Sequence, residues 1–226
     1  MISPSYKNVE EGKAMVLLCT GSTLDKFDIN LLPEKDLIQV GVNSIIYNEE
    51  YSLDYYFCAH NVANEGPNHP HAELELKDPQ LGRIQNLPEG TDIFCGDPRD
   101  FHDGFTSPQI TSFSGSTFRC SPDAAFRTDV PEASRVALYN HSIAFPALQV
   151  LLYTGVKKIY LVGCDCGGQS SYLTDEKVPW ADDTLDMIRR WETFKVFAHS
   201  SYPDVEIISI NPVALKGVFD EDIFHG

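Results

Sequence analysis

The sequence predicts an α/β fold: a doubly wound, mostly parallel, Rossmann-like sheet with an irregular lid or insertion. Short apolar runs, typical of strands buried on both faces, recur along the chain. Helical segments separate the later runs, at the spacings that crossover connections between parallel strands need. Five of the runs end in polar side chains, and the carboxyl ends of parallel strands meet at one edge of a sheet. We therefore expect a ligand crevice at that edge.

The first half of the chain is predicted to contain four strands. They are residues 14–18, 37–42, 54–59 and 92–96, each mostly apolar. Residues 24–32 favour a short helix or turn closed by Pro33, and residues 72–84 favour an interrupted helix. Residues 97–131 are rich in Asp, Ser, Thr, Pro, Gly and Phe without a clear period. We expect this segment to form the irregular insertion near the mouth of the crevice.

Regular structure is predicted to return in the second half. Residues 143–153 have the small and apolar composition of a buried helix, ended by Gly155, and residues 159–163 form the clearest strand. An amphipathic helix over about residues 180–199 and a last strand over residues 205–210 follow a polar loop. A length of 226 residues fits one nucleotide-binding α/β domain that spans residues 1–226.

The composition of the chain disfavours some classes of function and partner. The formal charge of −16, from 33 acidic and 17 basic residues, disfavours nucleic acid and anionic membranes as partners. No apolar run approaches the length of a transmembrane helix, and residues 1–13 lack the apolar core of a signal peptide. The six scattered cysteines have the pattern of buried thiols in a reduced compartment, so a cytoplasmic location is expected. The sequence leaves open whether the protein forms a homo-oligomer.

The turn after the first predicted strand is the leading candidate for ligand contact. Thr20, Gly21, Ser22 and Thr23 offer hydroxyls and backbone N–H groups to an anion, which favours a phosphate-bearing ligand. The alternative is a tight turn without a ligand. Neither GxGxxG nor GxxxxGK[ST] occurs here. The polar residues at the other strand ends are Asn43 and Ser44, His60 and Asn61, Asp165, and Asn211.

Several segments, taken in order, carry a family resemblance. Residues 19–24, Cys-Thr-Gly-Ser-Thr-Leu, approximate a Gly-x-Gly-Pro-Ser-Leu turn, although the proline and one glycine are missing. The stretch from His141-Ser142 through the helix to residues 155–165 matches a Gly-Ser-Val, helix, Leu-Gly-Tyr-Lys-Glu-Ile-Tyr-Leu-x-Gly-x-Asp pattern. Over residues 14–62 and 138–216 the chain resembles the bacterial lipooligosaccharide sialyltransferases. It also resembles the related family of archaeal hydroxymethylpterin diphosphokinases and flagellar motility accessory proteins.

The resemblance implies transfer of a sugar from a nucleotide-activated donor, of the cytidine monophosphate–sialic acid type, to a glycan hydroxyl. In that interpretation Asp165 serves catalysis and the Tyr172 hydroxyl steadies the departing nucleotide, while His60 and His141 are the best remaining imidazoles for base catalysis. The implied nucleotide contacts are Thr20, Gly21, Ser22, Thr23, Asn43, Ser44, Asn61, Ser142 and Asn211. The sialyltransferases carry a histidine base in a lid, but no histidine lies between Tyr172 and His199 here. The base is therefore unassigned among Asp165, His60 and His141.

Two other functions are considered. A diphosphokinase-like enzyme would use a nucleoside triphosphate with Mg²⁺ held by Asp165. A nucleotide- or sugar-binding protein without catalysis would agree with the missing lid histidine. Asp165 is expected to be needed for activity rather than for folding, although a carboxylate that fixes its own loop is the alternative. Cys164 and Cys166 are too close for a zinc CxxC pair, so no metal site is assigned.

Overall fold

A computed structural model describes residues 1–58, 83–96, 115–139, 141–166 and 184–223. Its main feature is an eight-stranded sheet. The strands in chain order are β1 (Ala14–Leu18), β2 (Ile38–Val42), β3 (Tyr55–Cys58), β4 (Asp92–Gly96), β5 (Ser116–Phe118), β6 (Cys120–Ser121), β7 (Leu138–Tyr139), β8 (Lys158–Val162), β9 (Glu206–Ile210) and β10 (Asp220–Asp222). The α-helices within these ranges are α1 (Val130–Val136), α2 (Ala144–Tyr153) and α3 (Thr184–Ser201). β6 and β7 form a separate two-stranded sheet.

The strand order of the main sheet is β10-β9-β8-β1-β2-β3-β4-β5, and each neighbouring pair is parallel. From β1 the chain moves outward to β5, whereas from β8 it moves outward in the opposite direction to β10. The order therefore reverses between β1 and β8, which is the switch point of a doubly wound sheet. Leu18 pairs with Val162, so these two central strands end at the same level. The predicted fold class is confirmed.

The two faces of the sheet are covered differently. Phe145, Trp191 and Phe194 of α2 and α3 are fully buried against one face. On the other face, short 3₁₀ turns over Ser22–Lys26, Ile29–Leu31 and Asn43–Tyr47 follow β1 and β2. The described connections between β1, β2 and β3 contain these 3₁₀ turns and no α-helix, and the turns bury apolar side chains on this face. They bring Leu24, Ile45 and Ile46 onto Val16 and Leu18.

Helix α2 is the central helix of the covered face, and nine of its residues are buried. Its buried Gln149 is satisfied, because the amide nitrogen donates to the carbonyls of Tyr139 (3.2 Å) and Phe145 (3.1 Å). Glu10, which precedes β1, donates its N–H to the carbonyl of Thr154 at 2.9 Å. The carboxyl end of α2 therefore lies at the amino edge of the sheet, and its first turn lies at the carboxyl edge.

The observed elements differ from the predicted ones at both edges of the main sheet, and the short strand β7 was also not predicted. Residues 116–118 lie in the segment expected to be irregular but form β5, which pairs with β4, and α1 begins at Val130. β9 is not the last strand, because the acidic residues 220–222 form the edge strand β10. Both edge strands are three residues long and polar, so neither produces the apolar run that marks a buried strand. Residues 72–82, 97–114 and 167–183 lie outside the described residues.

The described α-helices are α1, α2 and α3, of which α3 is the longest. None of them is both long and apolar enough to span a membrane.

Candidate functional site

The loops that follow β1 and β8 join at the switch point. Cys19 donates its N–H to the carbonyl of Val162, and Gly21 donates to that of Gly163, both at 2.8 Å. These bonds continue the β1–β8 ladder beyond the strands themselves. The turn at residues 20–23, which we call the Gly21 turn, is therefore fixed relative to the β8 loop before any ligand contact is considered.

Asp165 completes the junction of the two loops. Its side chain is only 5% exposed. One carboxylate oxygen accepts from the N–H of Thr23 at 3.0 Å and from the hydroxyl of Ser22 at 3.3 Å, and the other accepts from the hydroxyl of Thr23. Its carbonyl accepts from the N–H of Ala214 at 3.1 Å. The Asp165 carboxylate therefore holds the Gly21 turn, which agrees with the loop-fixing alternative considered from the sequence.

Two glycines permit this close approach. A Cβ atom on Gly21 would lie 2.5 Å from the carboxylate carbon of Asp165 and 2.5 Å from the carbonyl oxygen of Gly163. Gly163 has a φ of +67°, and a Cβ there would lie 2.4 Å from the carbonyl oxygen of Cys19. Real Cβ contacts are not this short, so any side chain at either position would push the two loops apart.

Left-handed backbone conformations recur at the carboxyl edge. Asn43 directly follows β2 with a φ of +46°, Asn211 directly follows β9 with +47°, and Cys166 has +51° in the β8 loop. Asparagine tolerates this region better than most residues, but each such residue still carries a conformational cost. The Asn43 carbonyl accepts from the Tyr56 hydroxyl at 2.8 Å, which helps to hold its turn. Such conformations are enriched at ligand sites, so they favour a functional role for this edge.

Three thiols lie near the switch point. The sulfurs of Cys19 and Cys164 are 3.2 Å apart. The hydrogen bond to Cys19 and burial together raise the pKa of Cys164, and burial raises the pKa of Cys166 to about 12. Thiols with raised pKa values stay protonated at neutral pH and are poor nucleophiles and metal ligands. Five of the six cysteines are buried, and all six are free thiols.

The first turn of α2 forms the rim of the site. The Ser142 hydroxyl accepts weakly from the N–H of Ala144 at 3.4 Å, and its carbonyl accepts from Phe145 at 2.9 Å. The N-cap position itself is occupied by Ile143, which makes no side-chain cap bond, so Ser142 contributes to the helix start only through these two contacts. The N–H groups of this turn give the rim a partial positive charge.

A polar network that sequence reasoning missed lies beside this rim. Nε2 of His141 is 3.8 Å from Oδ2 of Asp186, in the first turn of α3. Nε of Arg190 binds the same carboxylate oxygen at 2.7 Å, and its Nη1 donates to the Tyr139 hydroxyl at 2.7 Å. The i,i+4 spacing of Asp186 and Arg190 is a sequence signal for their pairing. No comparable signal connects either residue to His141.

The predicted site residues fall into two groups. The structure places ten of them at the carboxyl edge: Thr20, Gly21, Ser22, Thr23, Asn43, Ser44, His141, Ser142, Asp165 and Asn211. Direct side-chain contacts join Asp165 to Ser22 and Thr23. His60, Asn61 and Tyr172 lie outside the described residues. Within the described ranges, no group of three or more His, Cys, Asp or Glu side chains is placed to hold a metal ion.

A groove of about 1010 Å³ opens at the opposite, amino edge of the sheet. Lys7, Tyr153, Lys157, Tyr202 and Asp204 are among the residues that line it. Ligands of open parallel sheets bind beyond the carboxyl ends of the strands, so this groove is not the candidate site.

Comparison with known proteins identifies neighbours by structure. No protein-family model matches the sequence, and no curated protein matches it significantly. Sialyltransferase CstII from Campylobacter jejuni, in complex with the substrate analogue CMP-3FNeuAc, aligns at 14% identity over 92% of this chain and 86% of that chain, with a TM-score of 0.54. The monofunctional alpha-2,3-sialyltransferase Cst-I from the same organism aligns at 14% identity over 88% and 75%, with a TM-score of 0.51. The MAf glycosyltransferase from Magnetospirillum magneticum aligns at 14% identity over 97% and 36%, with a TM-score of 0.47. At these identities, the two alignments with CstII and Cst-I show a shared fold.

Proposed function

We propose that this protein transfers a sugar from a nucleotide-activated donor, of the CMP–sialic acid type, to a hydroxyl group of a glycan. The observation that carries the proposal is the hydrogen-bonded pair of loops at the switch point between β1 and β8. Ligands of open α/β sheets bind at this position. The fold supports the choice of donor, because CstII, the neighbour with a TM-score of 0.54, was solved with the substrate analogue CMP-3FNeuAc.

Uncharged hydrogen-bond donors, rather than basic side chains, would bind the anionic nucleotide sugar. The net charge of −16 opposes an anion at long range, so local contacts must hold it. The N–H groups of Gly21 and Thr23 already bond to Gly163 and Asp165, so the proposed contacts from the Gly21 turn are the N–H groups of Thr20 and Ser22 and the hydroxyls of the turn. The side-chain amides of Asn43 and Asn211 are proposed as contacts to the base or the sugar, because an amide carries both donors and an acceptor. Asn61 is proposed for the same role.

The proposed reaction is a displacement at the anomeric carbon of the donor. The acceptor oxygen forms the new bond, the bond to the nucleotide phosphate breaks, and the acceptor proton passes to a base. Tyr172 is proposed to steady the departing phosphate through its hydroxyl. Asp165 is a weaker choice of base than its position in the sequence implied, because Ser22 and Thr23 already donate to both of its carboxylate oxygens. His60 and His141 remain as candidates.

The Mg²⁺-dependent alternative fits the described residues less well. A cation at Asp165 would have to displace the three hydrogen bonds from Ser22 and Thr23, on which the Gly21 turn depends. Among the described residues, Asp165 belongs to no group of three or more His, Cys, Asp or Glu side chains that could hold a metal ion. No step through a metal ion is therefore derived for this site.

A thermal-shift and turnover experiment tests the proposed function. At 100 times its dissociation constant, CMP is expected to stabilise the protein by about 2.7 kcal/mol, or about 5–10 °C, without Mg²⁺. Release of CMP from CMP–sialic acid is then expected to increase when glycan acceptors are added. Stabilisation by ATP and Mg²⁺ alone would support the diphosphokinase-like alternative. Binding of CMP without turnover across a panel of acceptors would support a binding protein.

A further inference from the structure

Two buried cysteines lie opposite each other at the carboxyl ends of β3 and β4. Cys58 is the last residue of β3 and pairs in register with Cys95 of β4. Their sulfurs are 2.7 Å apart, closer than the 3.2 Å between the sulfurs of Cys19 and Cys164. Both side chains lie in the same apolar cluster, with 2% and 5% of their surface exposed. The fold therefore brings together two thiols that stand 37 positions apart in the chain.

The backbone around this pair is compatible with a disulfide. Neighbouring strands lie about 4.7–4.9 Å apart, and the Cα atoms of disulfide partners are usually about 4.4–6.8 Å apart. Residues that are paired directly across a ladder, with both side chains on one face, meet this requirement. A shared metal ion fits the pair less well, because two sulfurs bound to one tetrahedral zinc ion lie about 3.8 Å apart.

We propose that Cys58 and Cys95 form a reversible disulfide that joins the ends of β3 and β4 when the protein meets a peroxide. This modification site is independent of the proposed function, because it needs neither a nucleotide nor an acceptor. Both residues are thiols in the structure, which agrees with the reduced compartment that the scattered cysteines predict. The disulfide is therefore a response to oxidation rather than a permanent part of the fold.

The position of the pair at the strand ends gives a small oxidant a route to it. Cys58 ends β3, and Cys95 is one residue from the end of β4. The ends of elements open locally at a lower free energy than the whole domain unfolds. Hydrogen peroxide needs only a small opening, so the low exposure of the two thiols slows the reaction without preventing it.

The chemistry balances with hydrogen peroxide as the only co-reactant. The thiolate of one cysteine attacks an oxygen of the peroxide, the O–O bond breaks, and the products are a sulfenic acid and hydroxide. The proton that the thiol released converts the hydroxide to water. The second sulfur then bonds to the sulfenic sulfur, the S–O bond breaks, and another water leaves with the remaining thiol proton. The two thiols lose two electrons in total, which reduce one peroxide to two waters.

Cys19 and Cys164 provide a comparison within the same molecule. Leu18 pairs with Val162, so these two cysteines are offset by one position along the continued ladder rather than directly opposed. The hydrogen bond to Cys19 and burial also raise the pKa of Cys164. Because the thiolate is the nucleophile, a thiol with a raised pKa reacts slowly with a peroxide. We therefore expect this second pair to stay reduced under conditions that link Cys58 to Cys95.

Thiol counting and peptide mapping on the folded wild-type protein test the proposal. After mild treatment with hydrogen peroxide, thiol blocking under denaturing conditions is expected to find four free thiols, because one disulfide uses two of the six cysteines. Mass spectrometry is expected to find the peptides of Cys58 and Cys95 joined, and dithiothreitol is expected to restore all six thiols. The oxidised protein is expected to melt about 5–10 °C higher than the reduced protein, because the link closes a loop in the unfolded chain.

Cysteine variants check that the gain in stability comes from this link. Cys58→Ala and Cys95→Ala each remove one partner, and Cys120→Ala, which removes a buried cysteine of β6, is the matched control. Peroxide is expected to leave the melting temperature of the first two variants unchanged and to raise that of the control as in the wild-type protein.

Two results would overturn the proposal. The first is a folded wild-type protein in which peroxide joins no Cys58 peptide to a Cys95 peptide, even if other cysteines are linked or single thiols are oxidised. The second is a Cys58–Cys95 link that leaves the melting temperature unchanged, which overturns its stabilising role. Neither result bears on sugar transfer, so the proposed function stands or falls separately.

Discussion

Replacing Gly21 by alanine is expected to abolish nucleotide binding and to lower the free energy of unfolding by about 1–3 kcal/mol. The new Cβ atom would lie 2.5 Å from the carboxylate of Asp165 and from the carbonyl oxygen of Gly163. The turn cannot move away cheaply, because the Gly21 N–H bonds to that same carbonyl at 2.8 Å. The substitution must therefore separate the β1 and β8 loops, and with them the proposed nucleotide contacts.

The matched control for this prediction is Gly90→Ala. Gly90 has a φ of +96°, and a Cβ there would meet nothing within 4 Å. Alanine is expected to cost about 1–2 kcal/mol at this position through backbone strain alone, without loss of binding. Urea unfolding measures the stability of both variants, and calorimetric titration with CMP measures binding. Wild-type affinity for CMP in Gly21→Ala would contradict the role given to the turn.

Replacing Asp165 by asparagine is expected to lower the free energy of unfolding by about 1.5–3 kcal/mol and to weaken nucleotide binding. The carboxylate accepts three hydrogen bonds from Ser22 and Thr23. An asparagine amide can accept with only one of its two terminal atoms, so its NH₂ group would face a donor of the turn. A loss of this size differs from the first expectation drawn from the sequence, that Asp165 is needed for activity and not for folding, and agrees with the loop-fixing alternative.

A double-mutant cycle with Thr23→Val isolates this contact. If the Thr23 hydroxyl acts through Asp165, the double variant is expected to lose less stability than the sum of the two single losses, with a coupling of about 0.5–3 kcal/mol. Asp220→Asn, at the exposed edge strand β10, is the control and is expected to stay within about 0.5 kcal/mol of wild type. Strict additivity of the Asp165 and Thr23 losses in urea unfolding would argue against the contact.

Much of the sheet could be predicted from the sequence because its central strands are apolar on both faces. Residues 14–18 and 92–96 form strands with the predicted bounds. The edge strands β5 and β10 escaped prediction because edge strands need not be apolar, and their three residues are too few to show a period. The location of the candidate site could be predicted because the strands are parallel. The polar residues that follow parallel strands all lie at the same edge of the sheet.

The partners of the site side chains were harder to predict. The pattern places Asp165 at a strand end, but it does not show that the carboxylate turns towards Ser22 and Thr23, which are more than 140 positions earlier in the chain. Likewise, His141 and Asp186 meet only because α2 and α3 begin at the same edge. The hydrophobic periodicity of a segment indicates which face of its helix or strand a residue occupies. It does not indicate contacts between separate elements, because these depend on how the elements pack.

A crystal structure of the protein soaked with CMP tests the central claim most directly. The account predicts that the nucleotide lies at the switch point, with its phosphate between the Gly21 turn and the first turn of α2, and within reach of Asn43. Density for CMP only elsewhere, for example in the groove at the amino edge beside Tyr153 and Tyr202, would contradict it.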